Sequence, residues 1–326
     1  MRPLITLAIP NRNYARYLGK CLDSVVMQNG LDVEILISDN CSDDDSWCII
    51  KDFARCDARI RAIRQKQNIG MAANLNFLLT EARGHFFKMV ISDDWLHSNF
   101  LADFRETISK LAPEKIGVVI CGYDWYFDGV DKTEQPTFPS QYKIPPSFNP
   151  KDDLQLARLA LHFSMPSTNA LNTDICKEEG GYKPLDSMRL DAIAMTNVML
   201  NKKSETILAM PRVACTQRIH TQNNRKFWTG YDAVAGEMLV VQRFKQAASK
   251  SDCGWISKWE RQIAGEMLIA LFRLPIKRCR KTAAGISEMA RANTLGLAIA
   301  ATPPRLLEKI IRNLNGAWRR TTSGSK

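Results

Sequence analysis

Nowhere in the 326 residues is there an apolar run approaching the roughly 18 residues that a spanning helix needs, so the sequence predicts no transmembrane helix. The first apolar stretch ends at Pro10, too short for a signal-peptide core, and no cleavage site follows, so no secretory leader is expected. Cysteine pairing is also missing. The nine cysteines (Cys21, Cys41, Cys48, Cys56, Cys121, Cys176, Cys215, Cys253 and Cys279) form no C-x-x-C pair and are odd in number. That pattern argues against a disulfide framework or a structural zinc and points to a reducing cytoplasm. Neither G-x-G-x-x-G nor a P-loop stands at a strand–helix junction, which removes the common dinucleotide and triphosphate cradles. No internal repeat is present. Acidic residues are scarce at one end: Val241 to Lys326 holds 17 Lys and Arg against 5 Asp and Glu, whereas the first 240 residues hold 28 against 29. A nearly neutral body with a basic appendage predicts docking to an anionic surface.

The first half alternates two periodicities. Leu4–Ile9, Val33–Ser38, Ile60–Arg64, Phe86–Ile91 and Ile116–Cys121 are short apolar runs read as strands. Between them Tyr17–Met27, Asp45–Arg55, Gly70–Ala82 and Asn99–Leu111 carry helical spacing, with Asp44 and Ser98 as expected caps and Gly84 as the expected close of the third helix. Alternation of this kind predicts an α/β fold with a mostly parallel central sheet covered on both faces. From Gly129 to Pro150 five prolines interrupt the pattern and predict an ordered loop or a lid. Helices are expected again at Asp152–Phe163 and Asp191–Leu200, strand-like residues at Thr206–Thr216, and an all-helical stretch from Trp228 to Trp318.

Three of the expected strands end in unusual polar groups: Pro10-Asn11-Arg12-Asn13, Ser38-Asp39-Asn40-Cys41-Ser42 and Ser92-Asp93-Asp94. The carboxyl ends of parallel strands open on one edge, so these groups converge on one crevice. Amides and carboxylates there suit a base and ribose. Two adjacent aspartates repel each other unless a hard cation such as Mg²⁺ or Mn²⁺, itself carrying a diphosphate, sits beside them. The eight residues MVISDDWL taken alone also fit a surface turn in which Asp93 caps the next helix.

Four segments, IPNRNYARYLGKCLDSVVMQ, VEILISDNCSDDDS, NIGMAANLNFLLTEARGHF and MVISDDWL, occur in order at spacings that resemble family-2 glycosyltransferases of the GT-A fold. EEGGYKP (178–184) and QRIHTQNN (217–224) resemble later family segments; the resemblance is patchy beyond about Leu101 and absent from the tail. It implies a GT-A domain over 1–228, with a nucleotide-binding half (1–128) and an acceptor half (129–228); the helical pattern and basic composition beyond it predict a helical extension over 229–326. The resemblance implies that Pro10, Asn11, Asn13, Asp39, Asn40, Asn68, Gly70 and Asp93 line the nucleotide site and that Asp94 and His220 face a Mn²⁺ or Mg²⁺ ion. Asn76 falls in the same Asn-x-Gly segment, Arg218 stands where it could offset the leaving group, and Trp95 lies either under the acceptor or in the core. Two positions depart from the family pattern: Asn40 replaces the second of the paired acids after the second strand, and Ile91 stands where many relatives carry a further Asp. Asp191 matches the general base, with Asp186 as the alternative; the acid that usually precedes the base is Leu190 here, and Asp191 also suits an ordinary helix start.

The resemblance therefore implies an inverting, metal-dependent transfer of a sugar from a nucleoside diphosphate-sugar to an acceptor hydroxyl. Two rivals remain: a catalytically silent scaffold that binds nucleotide-sugar or membrane, and a sugar-1-phosphate nucleotidyltransferase, whose Gly-rich first loop is replaced here by Pro-Asn-Arg-Asn. Within the tail, Leu306, Leu307, Ile310, Ile311, Leu314 and Trp318 recur at helical spacing, flanked by arginines and lysines. Such a stripe suits a helix lying on an anionic membrane, and it suits equally a helix packed on the body. Membrane attachment would favour a lipid-linked saccharide acceptor in cell-surface polysaccharide synthesis, at the inner face of the cytoplasmic membrane. Few aromatics interleave the basic residues and no nucleic-acid module is recognisable, so no nucleic acid partner is expected.

Overall fold

The computed structural model describes residues 2–129, 132–182, 190–220 and 231–272. Along the chain run β1 (Ile5–Asn11), α1 (Ala15–Val26), β2 (Val33–Asp39), α2 (Ser46–Cys56), β3 (Ile60–Arg64), α3 (Met71–Glu81), β4 (Phe86–Met89), β5 (Trp95–Leu96), α4 (Phe100–Ile108) and β6 (Ile116–Phe127). Then follow β7 (Lys132–Thr133), β8 (Ser147–Phe148), α5 (Leu154–Ala160), β9 (Asn169–Asn172), α6 (Thr173–Glu178), α7 (Leu190–Met199), β10 (Thr206–Ile219), α8 (Tyr231–Ala247) and α9 (Cys253–Phe272).

The sheet runs β3-β2-β1-β4-β9-β6-β10-β5. Its first four strands are parallel, β9 inserts antiparallel between β4 and β6, and β10 returns parallel to β6. Strand order reverses between β1 and β4, and at such a switch point the connections diverge and leave a crevice beyond the carboxyl ends. Ile5, Leu7, Ile9, Ile35 and Ile37 are fully buried, and so are their neighbours Leu36 and Ala8, so both faces of these strands are covered. Phe86 meets Phe104 of α4 on one face of β4, while Phe87 meets Tyr182 on the other.

Most expected elements are present with boundaries moved by a few residues, and three local readings change. Ser98 does not cap α4, whose N-cap is Asn99 with no side-chain bond. Asp44 does more than expected: its carboxylate accepts the amide of Ala15 at the start of α1 and that of Ser46 at the start of α2, joining two helix N-termini. Gly84 does not close α3, which ends at Glu81; a Cβ at Gly84 would lie 2.5 Å from the Thr6 amide, so glycine lets this loop press against β1. The proline-rich segment holds a 3₁₀ turn at Pro139–Tyr142 and strand β8, which pairs with β10.

The chain divides into two compact units, Met1–Leu185 with Leu190–Asn223, and Asp186–Arg189 with Asn224–Lys326. In the second, α8 and α9 form a hairpin around Phe244 and Trp259 (ring centroids 5.5 Å apart), and Lys245 pairs with the buried Glu260 at 2.9 Å. Asp186 and the amphipathic stretch after Pro304 lie outside the described residues. Among the described residues no helix is long and apolar enough to cross a membrane.

Candidate active site

Parallel register brings the first two polar strand ends together. Asn11 of β1 stands opposite Asp39 of β2, and its amide nitrogen donates to Asp39 Oδ1 at 2.8 Å. Asp39 also accepts from the Ser42 amide (3.1 Å) and hydroxyl, and Arg64 Nε lies 3.5 Å away. Its carboxylate is thus wholly enclosed. Asn11 Oδ1 is buried with no partner, an acceptor that this loop leaves unsatisfied. Asn13 adopts φ 58°, a conformation tolerated by Asn, and its side chain accepts the Asp43 amide. The carbonyl of Pro10 accepts the Ser92 hydroxyl at 2.9 Å, tying β1 to the segment after β4.

The Asn40 side chain, expected to line the nucleotide site, holds the next loop. It donates to Asn68 Oδ1 (3.0 Å) and Gly70 O (3.3 Å) and accepts from the Ile69 amide (2.9 Å). Asn68 Oδ1 in turn accepts the Gly70 amide at 3.0 Å. Two amides at the entry to α3 that could have met an anion are therefore satisfied within the protein. An amide at position 40 can donate and accept at once, which a carboxylate could not do. Asn76 turns away from the crevice and bonds the backbone of Tyr182 from both amide atoms.

Asp93 and Asp94 lie beyond β4, at the third of the predicted strand ends. Both are buried. Asp94 Oδ2 accepts the Ser167 hydroxyl at 2.8 Å and Oδ1 the Arg218 amide at 3.1 Å. Asp93 Oδ2 meets His220 Nε2 at 3.0 Å. Burial, and then the charge of Asp93, push the Asp94 carboxyl well above the usual carboxylate range; burial raises Asp93 too, with His220 pulling the other way. Tyr14 nearby is pushed up to about 12 by burial and by both acids. Burial and mutual repulsion thus disfavour the doubly charged pair, while His220 and Arg218 favour the charged form of Asp93.

The end of β10 closes over the pair. Arg218 donates from Nε to the Asp93 carbonyl and from Nη1 to Asp128 Oδ1 (3.0 Å), and its guanidinium packs against Tyr17, Trp95 and Tyr126. The side chain expected to offset the leaving group thus joins the acid-pair segment to the residue that follows β6. Trp95 is half-buried rather than a core residue, with the Lys20 ammonium 3.3 Å from its ring centre. Asp191 sits in the first turn of α7, half-buried beside Tyr182, and burial raises its carboxyl to about 7.

Asp128, Ser167 and Tyr17 belong to this site and were not foreseen. Asp128 lies seven residues beyond the apolar run Ile116–Cys121 and follows a strand end that only the structure shows, at Phe127. No local pattern marks Ser167, which arrives from a loop 73 residues beyond Asp94.

Among the described residues no group of three or more His, Cys, Asp or Glu side chains is arranged to hold a metal ion. The adjacent acids, one bonded to an imidazole, are nevertheless an oxygen-rich donor set that a divalent cation sharing its shell with diphosphate and water would suit. The burial of the two acids side by side, with the Asp93 charge raising the Asp94 carboxyl, is the observation that favours such a charge.

The family model for glycosyl transferase family 2 matches residues 6–179. The glycosyltransferase GlyA of Streptococcus pneumoniae is 35% identical over 38% of this chain and 17% of its own length; GlyG of the same organism is 30% identical over 40% and 42%. The chain thus spans less than half the length of these relatives. Among solved structures, Staphylococcus aureus TarS 1–349 in complex with UDP-GlcNAc superposes with TM-score 0.62 at 20% identity, over 94% of this chain and 82% of that one. A Pyrobaculum calidifontis mannosyltransferase in complex with GDP-Man and Mn²⁺ gives 0.55 at 17%, over 100% and 89%. These likenesses establish the GT-A fold, and the chain belongs to glycosyl transferase family 2.

Proposed function

We propose that this chain transfers a sugar from a nucleoside diphosphate-sugar to an acceptor hydroxyl with inversion at the anomeric carbon, and that it depends on Mn²⁺ or Mg²⁺. The observation that carries the reading is the buried Asp93–Asp94 pair beyond β4 at the β1/β4 switch point, tied to the end of β1 by the Ser92–Pro10 hydrogen bond. Structural neighbours in complex with UDP-GlcNAc, or with GDP-Man and Mn²⁺, support the donor class and the ion.

Pro10, Asn11, Asn13, Asp39 and Asp93 would line the nucleoside, while Asn40, Asn68 and Gly70 hold the wall of that pocket. Asp94, with His220 beside it, would hold the cation, which when bound supplies positive charge for the departing diphosphate. Asp191 is the proposed base. It takes the proton from the acceptor hydroxyl as that oxygen bonds to the anomeric carbon and the bond from that carbon to the diphosphate oxygen breaks. A carboxyl raised to about 7 is matched to that task near neutral pH.

The acceptor we propose is a lipid-linked saccharide, with the chain held peripherally at the cytoplasmic face of the membrane. The basic composition after Val241 supports that placement. Thermal melts with UDP-, GDP-, CDP- and dTDP-sugars, each with and without Mn²⁺, test donor binding by ligand-linked stabilisation. Release of nucleoside diphosphate from the stabilising donor then tests turnover. Binding without release, even with acceptor present, would favour the scaffold reading; pyrophosphate release from a nucleoside triphosphate would favour the nucleotidyltransferase.

A further inference from the structure

Lys88 lies in the middle of β4 with none of its surface exposed. An ammonium is costly to bury unless it is paired or hydrogen-bonded. Its hydrogen bond goes to the carbonyl of Ser167 at 2.7 Å, and its nitrogen lies 4.9 Å from the centre of the Phe100 ring. Ser167 itself adopts φ 65°, a left-handed conformation that serine rarely takes and that its surroundings must impose.

The Ser167 hydroxyl has one hydrogen and two neighbours. It accepts the Ile91 amide at 3.1 Å, which leaves its hydrogen for Asp94 Oδ2 at 2.8 Å. The Asp94 amide donates to the Ile91 carbonyl at 2.9 Å, so Ser167 spans a complete turn from Ile91 to Asp94. One residue thus has its carbonyl gripped by a buried cation and its hydroxyl gripping both ends of the turn that presents the acid pair.

We infer that Ser167, anchored by the buried ammonium of Lys88, is the positioning residue that orients Asp94, and that its hydroxyl sets the cation affinity of the site. The inference rests on the proposed cation site and goes beyond it by naming the outer partners. Such partners matter because a carboxylate free to rotate loses the geometry a cation needs. Their removal typically weakens binding about 10- to 100-fold.

The test is Mn²⁺ binding to the full chain, read as free Mn²⁺ by electron paramagnetic resonance in the presence of UDP or GDP, with melting temperature measured alongside. Ser167→Ala removes the hydroxyl and keeps the backbone strain; Ser167→Gly removes both. Both variants should bind Mn²⁺ about 10- to 100-fold more weakly, with the glycine variant melting at or above the alanine variant. Lys88→Met should weaken binding likewise; should it fail to fold, the two Ser167 variants decide alone. Unchanged Mn²⁺ affinity in both Ser167 variants, whatever their melting temperatures, overturns the inference and leaves the cation site standing. No Mn²⁺ uptake by the wild-type chain with either nucleotide overturns both.

Discussion

Asp94 and Asp191 are both carboxyls displaced upward by burial, and they should respond differently to being made neutral. Asp94→Asn removes a charge that the fold holds at a loss. Turnover should fall by about 10²-fold or more as the cation's anchor is lost, while the melting temperature holds or rises. Parallel assays of nucleoside diphosphate release and thermal melting would show the split. Asp191 titrates near 7 in the folded chain against roughly 4 when unfolded. The folded state therefore binds its proton more tightly, and stability from this group is fully present below pH ~4 and lost as pH rises towards 7. Asp191→Asn should melt higher than the wild type at pH 8, converge with it at pH 4, and lose about 10²–10⁴ in turnover. In the wild type, turnover should climb with pH through about 7 as the base is freed; a flat profile between pH 6 and 8 would exclude Asp191 from that role. Asp93, Asp94 and Asp39 were legible because an apolar run that stops in acids has few explanations. The clamp made by Arg218 and the bond from Ser167 were not, because neither partner lies near the acids in sequence.

Helices α1 and α2 begin on a shared carboxylate, and this join should be measurable. Asp44→Ala strips two helix starts of a capping bond and should cost about 0.5–2 kcal/mol for each, read from denaturant midpoints at constant slope. Gly84→Ala presses a methyl against the backbone of Thr6 and Ile5, at 2.5 and 2.6 Å, with no flexible side chain to give way. We expect a loss of about 1–3 kcal/mol, with no change in which donors stabilise the protein. The periods of α1, α4, β1, β2 and β4 are visible because each buries a stripe or a face. Strand β10 is longer than its apolar pattern: Thr216–Ile219 carries Gln217 and Arg218, and reads as strand only once β6 is beside it. The two-residue strands β7 and β8 have no pattern at all and exist as pairings with β6 and β10.

The chain joins a near-neutral first portion to a strongly basic carboxyl-terminal portion. It should sediment with phosphatidylglycerol vesicles at low salt and release as ionic strength rises, because the attraction acts only within a Debye length. Replacing Arg305, Lys309, Arg312, Arg319 and Arg320 with glutamine should abolish sedimentation and leave donor binding intact; sedimentation that survives this change would show that the tail is not the contact. Composition and periodicity alone determined the class of the protein: the alternating elements, the neutral body with a basic end, and the acids placed at strand ends. These are properties of short windows, where hydrophobic spacing and local sterics act directly. The mixed order of the sheet, the redirection of Asn40 onto the loop at Asn68, the clamping of Arg218 and the arrival of Ser167 at Asp94 were decided by tertiary structure. Each depends on which distant groups share a buried space, and there an unmade hydrogen bond or an unpaired charge is costly enough to select the partner.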